Sequence, residues 1–179
     1  MTKDLATQWA RAFIKQALSD RRTYEFLVGA NLPPCHSLHY LQMFLEKLAK
    51  AYVYANTRDP AELDSLQRSH KVIARTLPAI YRDRRLRELK GQNERLQREM
   101  SFIRKLSDQL DLLSPAVDLN AQRRDNTEYP WATDDSETPS IHIPSEWTFP
   151  VSTLLAEPLS VRFIKVCYNM ASELRDNFA

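Results

Sequence analysis

From Pro34 to Tyr54 the chain reads Pro-Cys-His-Ser-Leu-His-Tyr-Leu-Gln-Met-Phe-Leu-Glu-Lys-Leu-Ala-Lys-Ala-Tyr-Val-Tyr, a pattern that an amphipathic core helix explains for the most part. Apolar residues recur at Leu38, Leu41, Leu45, Leu48 and Tyr52. Steps of three and four place them on one helical face, whereas a strand repeats every second residue. Pro34 suits the first helical turn, where a missing N–H leaves no bond unmade. Polar groups interrupt the stripe at His39, Gln42, Glu46, Lys47 and Lys50. Glu46 and Lys50 stand one turn apart in the favourable orientation for an ion pair. That pair reads as a device for helix packing, or as the polar lining of a groove between helices.

The rest of the chain predicts more helices. Two glycines stand against ten prolines. Tight hairpins need glycine, so this scarcity points to helices joined by proline-punctuated loops. A first helix is expected from about Lys3 to Leu27, with Leu5, Trp9, Phe13, Leu18 and Phe26 as its apolar face. The second is expected to end near Asn56. A third is expected from about Pro60 to Arg75, with Asp59 as N-cap, and carries Leu63, Leu66, His70 and Ile73. Beyond Pro78 a long fourth helix is expected from about Ala79 to Leu113. Leu86, Leu89, Asn93, Leu96, Met100 and Ile103 form its seam, continued by Leu106, Leu110 and Leu113. Residues Pro115 to Pro150 hold five of the ten prolines and read as an irregular loop. Trp131 and Trp147 imply that the loop packs on the helices, and Ile141-His-Ile-Pro reads as a short extended piece. A last helical region is expected from about Ser152 to Phe178, divided at Pro158, with Phe163, Val166, Cys167, Met170 and Leu174 buried.

The net charge of +2 does not by itself call for nucleic acid. Its distribution is uneven. Arg82 to Lys105 holds nine Lys and Arg against four Asp and Glu, and Pro115 to Pro150 holds seven acids against two arginines. Arg82, Arg84, Arg85 and Arg87 are the candidates to meet phosphates, against the plainer reading of a solvated helix face. The run has little aromatic interleaving for base stacking. Cys35, His36 and His39 form a Cys-His-x-x-His group, but zinc needs a further ligand from elsewhere, and no metal or cofactor is expected. Cys35 and Cys167 read as reduced, buried thiols of a cytoplasmic protein. No apolar run of signal-peptide or membrane-spanning length is present in the sequence.

Three segments carry a resemblance to a known family. His39-Tyr-Leu-Gln-Met-Phe-Leu-Glu-Lys-Leu-Ala-Lys-Ala51 resembles the second helix of HEPN-domain proteins. Ser69-His-Lys-Val-Ile-Ala-Arg-Thr-Leu77 is similar to the family's Thr/Ser-His-x-Leu segment, and Glu128-Tyr-Pro130 to its Arg-Tyr-Pro. The resemblance implies an all-α, antiparallel up-and-down bundle, here of about five helices with the long loop before the last. It also implies a homodimer, and a nucleotide, RNA or a nucleotidyltransferase as partner. DNA sequence recognition is not expected. The ribonuclease branch of the family carries Arg, four to six residues, then His. None of His36, His39, His70 or His142 has an arginine at that distance before it, so no catalytic residue is assigned. His39, Gln42, Glu46, Lys50 and His70 are the expected ligand-binding groups. The function expected is binding, within a toxin–antitoxin or nucleotidyltransferase-associated module. An RNA-cleaving enzyme with a rearranged site and a structural oligomerisation adaptor are the alternatives.

Overall fold

Helices carry the polypeptide back and forth past one shared core. The computed structural model of the chain describes residues 3–57, 59, 63–66, 69–116, 125–133 and 140–178. Helix α1 spans Lys3–Gly29 and α2 Pro34–Asn56. A helical piece at 63–66 precedes α3 (Ile73–Glu88) and α4 (Asn93–Asp111). Strands β1 (Trp131–Thr133) and β2 (Ser140–His142) pair antiparallel, Trp131 opposite His142. A 3-10 turn at Pro144–Glu146, α5 (Pro150–Leu155) and α6 (Pro158–Asn177) complete the order. The expected all-α class holds, and the two short strands are its only sheet among the described residues.

Side-chain contacts give the helix directions. Phe13 stacks on Tyr54 at 5.5 Å and Lys47 pairs with Asp20 at 2.9 Å, so α2 runs antiparallel to α1. Arg11 lies 6.0 Å from the Phe178 ring and Arg21 3.8 Å from that of Tyr168, so α6 also runs antiparallel to α1. Tyr81 bonds Glu99 and Ile73 bonds Asp111, so α3 and α4 form an antiparallel hairpin.

That hairpin replaces the long fourth helix expected from Ala79 to Leu113. The chain turns at residues 89–92, where Gly91 adopts φ +78, a left-handed conformation that suits glycine and stops a helix. Asn93, expected within the seam, is the exposed first residue of α4. Leu86, expected on the seam, is exposed too, while Leu96, Met100, Ile103, Leu106 and Leu110 are buried as expected.

The third helix also differs. Residues 69–72 are not helical, and Ile73 opens α3, which runs through Pro78 at the loss of one backbone bond. Pro60 lies outside the described residues, as does part of the expected helix. In α1 the expected apolar face is buried only in part, with Phe13 and Leu18 packed against the core. Leu5, Trp9 and Phe26 are exposed, and Ala6, Ala10, Ile14 and Ala17 are buried instead. Small side chains let the α1 backbone approach α2 closely, so the alanines form the packed row.

The described parts of the loop before α5 pack as expected, while 117–124 and 134–139 lie outside the described residues. Trp131 is buried, and it meets Trp147 edge-to-face at 5.3 Å with His142 against both rings. Ile141 lies in β2. The last helical region divides at Pro158 as expected, and Phe163, Cys167, Met170 and Leu174 are buried. The buried apolar residues of all six helices form one continuous cluster.

Candidate functional site

The polar row of α2 points inward. Gln42, Glu46 and Lys50 are each about 5 % exposed or less, among the fully buried Leu41, Leu45 and Leu48. A buried carboxylate needs partners for both oxygens, since isolated charge is strongly disfavoured away from water. Lys50 Nζ donates to Glu46 Oε1 at 2.9 Å, and Gln42 Nε2 donates to Glu46 Oε2 at 2.9 Å. The spacing that made these residues neighbours in sequence thus makes one hydrogen-bonded line along α2. The Lys50 ammonium also lies 5.8 Å from the Phe13 ring, where the aromatic face favours a cation.

His70 joins the line from outside α2. Its Nδ1 lies 3.4 Å from Glu46 Oε2. A proton on Nδ1 serves Glu46 and leaves Nε2 as an acceptor on a side chain that is 41 % exposed. Four of the five predicted ligand-binding residues therefore meet around Glu46. His39 stands apart, half-buried, with Nδ1 3.7 Å from Glu128 Oε1.

A second carboxylate lies close by. Asp111, in the last turn of α4, accepts the N–H of Ile73 at 3.1 Å and of Ala74 at 2.9 Å. It serves as a cap for α3 from a distant helix, holding donors that the first turn leaves unpaired. Burial raises its pKa to about 7, the two N–H bonds oppose the rise, and the nearby Glu46 charge adds to it.

The basic run does not form one face. Arg85 is buried, with Nε and Nη2 both on the Glu99 carboxylate at 2.8 and 2.9 Å, and it also pairs with Glu88. Tyr81 donates to Glu99 at 2.9 Å, and Arg162 reaches it at 3.3 Å. The Arg85 guanidinium, set against burial, holds the Glu99 carboxyl below its ordinary range. Burial and the Glu99 charge push the Tyr81 hydroxyl up to about 12. Arg84 pairs with Glu173 across to α6, and Arg82 with its neighbour Asp83. Arg87 is exposed. Arg82 borders a hollow of about 690 Å3 with Arg104 and Lys105 of α4, and this is where the basic run comes nearest to an open cationic surface.

Sequence reasoning missed Asp111, and it read Glu99 only as a partner for arginines along a solvated helix, not as a buried acceptor. Both lie on the buried row of α4, beside Leu110 and Met100, and an acid on an apolar row is the signal that would have found them. The Cys-His-x-x-His group comes apart, with Cys35 buried and His36 exposed. Among the described residues no three His, Cys, Asp or Glu side chains gather as a metal site requires. Nor is any helix among them long and apolar enough to cross a membrane. The chain matches no protein-family model, no curated protein and no solved structure.

Proposed function

We propose that the chain is a HEPN-like helical protein that acts by binding a partner protein, in a toxin–antitoxin or nucleotidyltransferase-associated setting. The observation that carries this reading is a meeting of segments far apart in sequence. Of the three that bear the resemblance, α2 meets each of the other two, residue 70 through Glu46–His70 and residue 128 through His39–Glu128. The state of Glu46 supports binding over catalysis. Lys50, Gln42 and His70 take up both of its oxygens, so the cluster works as an internal tie between α2 and the entry to α3. Recognition is then a matter for the outer surface.

One observation favours the enzymatic alternative. Glu46 contacts His70 through Nδ1, and the imidazole is 41 % exposed, so with the Nδ1 tautomer its Nε2 is free to act as a general base. Against it, Arg85 is held by Glu99 and Glu88, and Arg84 by Glu173. Incubating RNA with the purified protein, His39→Ala and His70→Ala separates the readings. Equal background cleavage by all three agrees with binding. Cleavage that drops at least tenfold in His70→Ala alone makes the chain a ribonuclease.

A further inference from the structure

A strongly basic surface lies between α1 and α6. A groove of about 590 Å3 runs there over a floor of Ile14, Leu18 and Phe178. Its rim carries five cations, from Arg11 to Arg22 on α1 and Arg175 on α6, against one acid, Glu25. Glu25 is already paired with Arg21 at 2.8 Å. Arg11, Lys15 and Arg22 are exposed and make no ion pair among the described residues. Like charges one turn apart on a helix repel, so the Arg11 and Lys15 pair weakens α1 by a few tenths of a kcal/mol unless something compensates it.

We propose that this groove docks an amphipathic helix of a partner protein, apolar on one face and flanked by Glu or Asp. The shape favours a helix. From Arg11 to Glu25 the rim extends about 21 Å along α1, roughly four turns, with cations at Arg11, Lys15, Arg21 and Arg22. The two walls are antiparallel helices, and an added helix lies in such a groove as another member of the bundle does. Charge complementarity fixes the sign of the partner. A nucleotide clusters its phosphates within a few ångströms and leaves most of this length unused. A single-stranded RNA stacks its bases on successive aromatic faces, and the floor offers one ring, Phe178. The proposal rests on the reading of the chain as a binding protein and names the class of its partner.

The test uses the full chain and a fluorescein-labelled helical peptide with a Leu stripe flanked by Glu. A twin with Lys for Glu, polyuridylate RNA and ATP are the comparison probes. The expected result is saturable binding of the Glu peptide and none of the Lys twin. Lys15→Glu combined with Arg22→Glu weakens it at least tenfold, and hydrogen exchange slows at 11–25 in α1 and at the end of α6. Both substitutions are at exposed positions, and an unchanged thermal transition verifies the fold. A second variant, Leu18→Asp, removes the floor and keeps the cations, and it too weakens the Glu peptide. Equal binding of both peptides, no binding of the Glu peptide, or protection elsewhere overturns the proposal. So does saturation by RNA or ATP with the same charge dependence, which makes the groove an anion site and leaves the binding function standing. A doubled mass abolished by the charge reversal assigns the groove to a second copy and also overturns it. Cleavage of the RNA lost in His70→Ala instead sinks the binding reading itself.

Discussion

The carboxylate of Asp111, at the end of α4, holds the backbone N–H of Ile73, at the start of α3, at 3.1 Å. The same group holds Ala74 at 2.9 Å, so one side chain closes the first turn of another helix. This ties the α3–α4 hairpin at the end away from Gly91, beside Glu46.

Asp111 makes stability depend on pH. Unfolded, its carboxyl titrates near 3.8, and folded, near 7, chiefly because it is buried. Between those values the folded chain keeps a proton that the unfolded chain has lost, so stability falls as pH rises. Its contribution is complete below about 3.8 and gone above about 7. Urea unfolding of wild type and Asp111→Asn at pH 5 and 7.5 checks this. The wild type is expected to lose more than about 1 kcal/mol relative to the variant over that interval. Parallel pH profiles contradict it.

Glu99 compensates a buried guanidinium. Glu99→Ala leaves Arg85 without its two-point acceptor, and a stability loss of about 3–5 kcal/mol is expected. Tyr81→Phe removes one hydrogen bond to the same carboxylate, and a loss of about 1 kcal/mol is expected. Equilibrium denaturation of both variants gives the order. A smaller loss for Glu99→Ala than for Tyr81→Phe shows that Arg85 finds water instead.

The alanine row of α1 is a distance constraint. Ala10 and Ala17 are fully buried, so Ala10→Leu forces the helices apart, with an expected loss of about 1–3 kcal/mol or more. Leu5 is 43 % exposed, and Leu5→Ala is expected to shift stability by about 0.5 kcal/mol or less. Thermal unfolding ranks the two, and a larger effect at Leu5 returns the packed face to the large residues.

Much of this was legible from residue spacing, and each miss has its own physical cause. The inward polar row of α2 was readable because Gln42, Glu46 and Lys50 repeat at four-residue steps beside a leucine stripe. The division at Pro158 was readable because proline opens a helix more easily than it continues one. The α1 face was read in part: Phe13 and Leu18 pack on the core as expected, but Leu5, Trp9 and Phe26 do not, because close helix approach selects Ala6, Ala10 and Ala17. The long fourth helix was misread because the leucine rhythm on both sides of Gly91 stays in step, and periodicity does not register a left-handed residue between two helices. Pro78 was taken for a boundary, but the true start of α3 is set by Asp111, 38 residues away from Ile73. No local pattern reports a cap of that kind. The convergence of residues 46 and 70, and of 39 and 128, likewise depends on the path of the whole chain.

The account turns on Glu46 and Lys50 as a water-excluded pair at the meeting point of α2 and the entry to α3. A double-mutant cycle by chemical denaturation tests it most directly. Glu46→Ala and Lys50→Ala are each expected to lose about 3 kcal/mol or more, because each strands the other charge in the interior. The double variant is expected to be no less stable than the worse single, a coupling above about 2 kcal/mol. Additive losses of about half a kcal/mol or less, as at a wetted surface pair, contradict the account.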